Sequence, residues 1–146
     1  MSYRIYITYG YGIKVSDIPA CPVSHIQEML KSAPKLNEKI NSWFASCEIT
    51  EPTFQDYEEF DQVYYLGLAT LLKETILEAE GLEFTACSDY DGNTYLLYEP
   101  VYPWQLPESE RDLTPEYIDS ILTKYIKILD ANATINIDYH EAENGG

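Results

Sequence analysis

The chain has 146 residues, of which 25 are acidic and 9 are basic, so its formal net charge is −16. Hydrophobic residues make up 45% of the chain, too many for a disordered acidic tail, and no apolar run approaches the ~18 residues that cross a bilayer. The N-terminal residues alternate in polarity, unlike a signal peptide. We therefore expect one cytoplasmic domain over 1–146, with a frayed tail at 141–146.

The first part of the chain predicts a strand followed by two helices. Residues 3–9 alternate aromatic and β-branched residues, which is typical of a strand, and Gly10-Tyr11-Gly12 is expected to end it. Apolar residues at helical spacing predict helices over 25–33 and 34–46. Pro34 suits the first turn of the second helix.

The middle of the chain predicts a cap and a long core helix. Thr53, with Asp56 three residues later, resembles a capping box. Apolar residues then recur from Asp61 to Glu80 on more than one helix face, and Gly81 is a natural C-terminal stop. We expect this helix to be central to the core.

The last part predicts a hairpin, a helix and a final strand. Segments 82–88 and 94–99 flank an Asp-Gly turn. Thr114-Pro115 is a strong start for a helix that reaches Leu129, and residues 134–139 alternate as a strand. The order β-α-α-α-β-β-α-β segregates helices from strands, which predicts an α+β fold with about four mainly antiparallel strands.

The negative charge is unevenly distributed. Residues 1–47 carry a net charge of +2 and residues 120–146 carry −2, whereas 48–119 contain 18 acids and only Lys73 and Arg111 as bases. Such a field repels nucleic acids and anionic membranes and attracts basic surfaces. We expect a basic protein partner, with no direct binding to nucleic acid or membrane.

Some of these acids have a local explanation and others do not. Asp56, Glu58 and Glu59 fall in a predicted first helical turn, where the helix dipole favours anions. Glu74 and Glu78, by contrast, are like charges four residues apart near a helix C-terminus, where the dipole disfavours them. Glu80 and Glu83 extend this group, which is either a solvated face or a docking surface.

Tyrosine is unusually frequent, at 14 residues, and several tyrosines lie among the acids. Tyrosine suits interfaces because it is amphipathic and costs little entropy to order. A surface that mixes exposed tyrosines with acids is therefore a plausible partner-binding site. The candidate partner-binding residues are Asp56, Tyr57, Glu58, Glu59, Asp61, Tyr65, Glu74, Glu78, Glu80 and Glu83.

Patterns that carry catalysis or hold a metal are weak. Asp89-Tyr90-Asp91-Gly92-Asn93 resembles the start of a calcium loop, but the glycine and glutamate that complete such a loop fall on Thr94 and Pro100. Three scattered cysteines have no metal-ligand or disulfide spacing. We predict no metal and no cofactor, and favour a binding protein over an enzyme. A small hydrolase with two paired carboxylates is the less favoured alternative.

The acid-rich stretch 51–61, followed by Glu74, Glu78, Glu80 and Glu83, resembles in composition the small acidic accessory proteins of phages and mobile elements. These include anti-CRISPR and anti-restriction proteins, some of which imitate DNA. The resemblance implies an inhibitor that occupies the basic groove of a nuclease or another nucleic-acid-binding protein. The alternative is a structural or regulatory homo-oligomer, such as a homodimer formed through the aromatic loop 100–107.

Overall fold

A computed structural model describes residues 5–60, 66–99 and 114–145. In chain order the elements are β1 (Ile5–Lys14), a 3₁₀ turn (Val15–Asp17), α1 (Val23–Leu30), α2 (Pro34–Ser46), α3 (Phe54–Glu58), α4 (Leu68–Glu80), β2 (Thr85–Ser88), β3 (Thr94–Tyr98), α5 (Pro115–Leu129) and β4 (Asp138–Gly145). The strands form an antiparallel sheet in the order β2-β3-β1-β4. The predicted α+β class, its four strands and the order of the main elements are confirmed.

Local signals placed most helix ends correctly. α2 has the predicted bounds, and α5 begins as predicted, with Thr114 Oγ1 accepting a hydrogen bond from the Tyr117 N–H at 3.2 Å. α4 ends at Gly81, which has a φ of 71°. It begins later than predicted, at Leu68, because Gly67 has a φ of 57° that a helix does not allow. The first part of the predicted long helix, 61–65, lies outside the described residues.

The helices pack on one face of the sheet and enclose the main core. α4 residues such as Leu72 and Ile76 are buried there, together with an apolar stripe on α5 formed by Ile118, Ile121, Leu122, Tyr125 and Leu129. Ile13 of β1 and Leu96 of β3, which lie opposite each other in the sheet, contribute from the other side. No helix among the described residues is long and apolar enough to cross a membrane.

The prediction that Gly10-Tyr11-Gly12 ends the first strand was wrong. β1 continues through these residues to Lys14, pairing with β3 on one side and β4 on the other. A Cβ at Gly10 would lie 2.7 Å from the carbonyl oxygen of Tyr98, and one at Gly12 would collide with that of Leu96. The glycines thus let the strand curl closely over β3 instead of stopping it.

This curl brings the two edge strands of the sheet together. The backbone N–H of Tyr90, just after β2, donates to the carbonyl oxygen of Glu143 in β4 at 3.1 Å. A small second core fills the concave side between them and contains Tyr95, Leu97 and Ala142. The sheet therefore has apolar contacts on both faces.

The C-terminal strand also differs from the prediction. A strand was expected over 134–139, followed by a frayed tail, but β4 runs from Asp138 to Gly145 and pairs with β1 along its whole length. Ile135 and Ile137 instead pack against the main core from an irregular segment. The presumed tail is thus part of the sheet.

Candidate protein-binding surface

Glu78, predicted as part of a docking surface, caps a helix inside the fold. Its two carboxylate oxygens accept hydrogen bonds from the backbone N–H groups of Lys35 and Leu36, both at 2.9 Å. These N–H groups open α2, whose N-cap residue is Ala33 and has no side-chain oxygen to satisfy them. A carboxylate at this helix start is also favoured by the helix dipole.

Glu80 is likewise engaged within the chain. Its Oε1 accepts hydrogen bonds from Lys124 Nζ at 2.9 Å and from the Tyr125 hydroxyl at 2.8 Å. The hydrogen bond from Lys124, followed by that from Tyr125, lowers the pKa of the Glu80 carboxyl below its ordinary value. Burial, followed by the hydrogen bond to this carboxylate, raises the pKa of Tyr125. Glu80 therefore joins α4 to α5.

Glu58 caps a second helix, α4, and its neighbour Tyr57 belongs to the core. Glu58 Oε2 accepts a hydrogen bond from the Leu68 N–H, at the start of α4, at 2.9 Å. Tyr57 is only 1% exposed and packs edge-on against Phe44, with ring centroids 5.0 Å apart. Tyr57 was expected among the exposed tyrosines, and this was wrong, because its ring fills the space between α2 and α3.

The remaining candidates are partly engaged or lie elsewhere. The predicted capping box is confirmed, since Asp56 Oδ2 accepts a hydrogen bond from the Thr53 N–H at 2.8 Å and Thr53 Oγ1 accepts one from the Asp56 N–H. Exposed Glu59 accepts from the Gln55 amide. The remaining four are Glu74 and Glu83, to which no described residue donates a hydrogen bond, and Asp61 and Tyr65, which lie outside the described residues.

Exposed tyrosines do lie beside acids, but on β1 and β4. Ile7, Tyr9 and Tyr139 are 57%, 47% and 52% exposed. The Tyr9 and Tyr139 rings are stacked, with centroids 5.6 Å apart and planes 8° from parallel. In the pairing register Glu143 lies opposite Ile7 and Glu141 opposite Tyr9, so all five side chains share one face of the sheet. We call these five residues the tyrosine–acid strip.

More negative charge borders the strip where it meets α5. The Tyr11 hydroxyl donates to Asp119 Oδ1 at 2.7 Å. This hydrogen bond, together with burial and the charges of Asp119, Asp138 and Glu116, raises the pKa of Tyr11 to about 12. Among the described residues no cation forms an ion pair with Glu141 or Glu143. The strip therefore offers apolar surface next to two carboxylates for which the described part of the chain supplies no counter-charge.

The exposure of this face of β1 differs on the two sides of Gly10. Ile13 is buried in the main core, whereas Ile7 and Tyr9, which precede Gly10 on the same face, are exposed. The alternation that places Ile7 on this face of the strand also places Tyr9 there. This site was not predicted from the sequence, because the first strand was expected to end at the glycines and 141–146 to be a frayed tail.

Two backbone groups on the outer edge of β4 already have partners, which favours recognition of this surface through its side chains. The outward carbonyl of Glu143 already accepts from Tyr90, and the outward N–H of Tyr139 donates to Asp138 Oδ1 at 2.7 Å. An added strand from a partner would have to displace both hydrogen bonds. The available chemistry is that of aromatic faces and carboxylates.

No protein-family model, no curated protein and no solved structure matches this chain.

Catalytic chemistry has little support in the described residues. Burial raises the pKa of the Cys87 thiol, which opposes formation of a nucleophilic thiolate. Asp89, the first residue of the calcium-like motif, accepts hydrogen bonds from Asp91, Asn93 and Tyr95 as part of the β2–β3 turn. No group of three or more potential metal ligands occurs within 5–60, 66–99 and 114–145.

Proposed function

We propose that this protein is an acidic binding or inhibitory protein that holds a basic segment of a protein partner on the tyrosine–acid strip. The observation that carries the proposal is the strip itself: Ile7, Tyr9 and Tyr139 are about half exposed, next to the carboxylates of Glu141 and Glu143, which have no cation among the described residues. Apolar and aromatic surface anchors a partner, and the carboxylates select for positive charge.

Arginine is the side chain that best fits this combination. Its planar guanidinium stacks on aromatic faces and pairs with a carboxylate through two parallel hydrogen bonds. The stacked rings of Tyr9 and Tyr139 offer such a face, and Glu141 lies directly opposite Tyr9. A lysine would form the ion pair but not the bidentate contact.

The charge of the whole chain favours the same class of partner. A net charge of −16 speeds encounter with basic surfaces and repels nucleic acid itself. We therefore expect the partner to be a nucleic-acid-handling protein such as a nuclease, whose groove is rich in Lys and Arg. Imitation of DNA by an array over 48–83 is not part of this proposal, because Glu78 and Glu80, two acids of that stretch, are occupied within the fold.

Two other functions fit the site less well. Loop 100–107, the predicted homodimer contact, lies outside the described residues. A homodimer formed through the strip instead would bring Glu141 and Glu143 of two copies together, which is unfavourable at neutral pH. A two-carboxylate hydrolase needs a second acid near the one with a raised pKa. Burial raises the pKa of Glu58, and no neighbouring carboxylate contributes to that rise.

The test uses a fluorescent peptide of alternating Arg and Gly, and the same peptide with citrulline, a neutral isostere, in place of Arg. Fluorescence anisotropy should show binding of the Arg peptide that weakens as salt rises, and little binding of the citrulline peptide. The Tyr139→Ala variant should weaken binding by about 3- to 30-fold, and the double variant Glu141→Gln/Glu143→Gln by about 3- to 10-fold.

A matched control separates local recognition from net charge. The double variant Glu48→Gln/Glu51→Gln changes two exposed acids in the α2–α3 connection and alters the net charge equally. It should bind the Arg peptide within about 2-fold of wild type, because exposed charges beyond a Debye length are screened. Equal weakening by both double variants, or no effect of Tyr139→Ala, would mean that the strip is not the site.

A further inference from the structure

A cavity of about 440 Å³ opens between the 3₁₀ turn, α3, the start of α4 and the β2–β3 hairpin. Its apolar wall includes Val15, Ile18, Phe54 and Leu68, and its polar groups include the Glu58 carboxylate. The volume is within the range of sites that bind small molecules. None of the five residues of the tyrosine–acid strip lines it, so the cavity is a separate feature.

The chain places the Glu58 carboxylate in this cavity at a structural cost. Gly67 has a φ of 57°, and a Cβ at this position would collide with Glu58 Oε2, so a residue without a side chain is needed for the carboxylate to reach the backbone. Oε2 accepts the Leu68 N–H, while no described residue donates to Oε1. One carboxylate oxygen therefore remains for a ligand.

The charge of the site selects the ligand class. Glu58 forms no ion pair with a described residue, and the start of α4 supplies only about half a positive charge. A neutral apolar ligand would bury the carboxylate without compensation, and an anion would be repelled. A single carboxylate is too few oxygen ligands for Ca²⁺.

We infer that this cavity binds the end of a small organic cation, an ammonium or guanidinium group on a short alkyl chain, with Glu58 as its counter-charge. The alkyl chain would contact the wall formed by Val15, Ile18 and Phe54. Burial, which raises the pKa of the Glu58 carboxyl, is opposed only by the hydrogen bond from Leu68. A bound cation would lower that pKa again. The same group could come from a free amine or from a lysine or arginine of a partner.

The inference is tested by NMR titration of the ¹⁵N-labelled protein with n-butylamine, which is protonated at pH 7, and with n-butanol as its neutral analogue. Butylamine should produce saturable shifts at the amides of Ser16, Gly67, Leu68 and Thr94, and butanol should bind at least 10-fold more weakly. Absence of saturable shifts at these amides, or equal binding of butanol, would overturn the inference. This comparison uses the wild-type chain and needs no variant to fold.

A pair of variants adds the charge test. Glu58→Gln keeps an oxygen that can accept the Leu68 N–H but loses the charge, and should weaken butylamine at least 10-fold. Glu59→Gln, one residue along and exposed, changes the net charge equally and should bind within 2-fold of wild type. Unchanged binding by Glu58→Gln would overturn the inference. Lysine acetylated at its α-amine and amidated at its carboxyl group distinguishes a partner side chain from a free amine as the ligand. If this blocked lysine competes with butylamine, the site is assigned to a partner side chain. If butylamine binds and blocked lysine does not compete, the site is assigned to free amines.

Discussion

Replacing Glu78 by Gln should destabilise the fold through the start of α2, about 42 residues away in sequence. The wild-type carboxylate accepts two backbone N–H groups at 2.9 Å, one on each oxygen. In Gln one of these oxygens is replaced by an NH₂ group, which is a donor and cannot accept the N–H that it faces. Leaving one partly buried N–H unsatisfied costs about 1–2 kcal/mol, and loss of the charge at the helix start costs about 0.3–1 kcal/mol more. We expect the free energy of unfolding to fall by about 2 kcal/mol.

Glu74→Gln is the matched control, because Glu74 is on the same helix one turn earlier, is also half-buried, and accepts no hydrogen bond from the described residues. Removing this like charge should change stability by less than about 0.5 kcal/mol, in the stabilising direction. Urea unfolding followed by circular dichroism measures both variants, with unchanged m-values as the check for a common unfolded state. Equal effects of the two substitutions would refute the capping role of Glu78.

Three further outcomes are expected. Glu80→Gln should lower the free energy of unfolding by about 1–3 kcal/mol at pH 7. Because the pKa of Glu80 is lower in the folded state than its ordinary value of 4.5, the stabilisation from its carboxylate is present above pH 4.5 and is lost as the pH falls through the folded-state pKa. The difference between variant and wild type in urea unfolding should therefore close at low pH. Gly12→Ala should lower the free energy of unfolding by more than about 3 kcal/mol or prevent folding, since its Cβ would meet the Leu96 backbone. Gly81→Ala has open space around it and should cost only about 1 kcal/mol of backbone strain. Urea unfolding of the soluble variants shows which substitution destabilises more. Of the three thiols, exposed Cys47 should react with a thiol reagent at least 10-fold faster than the two whose pKa burial raises, and three equal rates would contradict the described burial.

Local signals in the sequence were sufficient for much of the fold. Two helix starts, Thr114-Pro115 and the Thr53–Asp56 capping box, depend on contacts over three or four residues. The apolar residues of α5 repeat at helical spacing. These three features can be recognised without knowing the tertiary structure. The end of α4 at Gly81 is of the same kind. These elements were predicted because their causes lie within one turn of chain.

The roles of the acids could not be predicted in the same way. Glu78 satisfies a helix start and Glu80 joins α5, but their donors are 42 to 45 residues away in sequence. The sequence shows only that the first N–H groups of α2 lack a local acceptor, because its N-cap residue is Ala33. It does not show which distant acid accepts from them. Charges that look unfavourable on one helix are therefore explained by its neighbours.

The exposed surface was missed because one local signal was misleading. Glycines usually end strands, but Gly10 and Gly12 are needed here for close approach to β3, and the strand continues. With β1 shortened, nothing indicated that 138–145 pairs with it or that Glu141 lies opposite Tyr9. A surface that combines exposed tyrosines with acids was therefore predicted in the middle of the chain and not on β1 and β4.

The most direct test of the proposed function is to map the Arg-Gly peptide onto the ¹⁵N-labelled protein by its amide shifts. The largest shifts should fall on the tyrosine–acid strip, at Ile7, Tyr9, Tyr139, Glu141 and Glu143, and should weaken together as salt rises. Shifts concentrated in 74–83 with the strip unchanged would contradict the proposal and return the binding site to the acids at the end of α4.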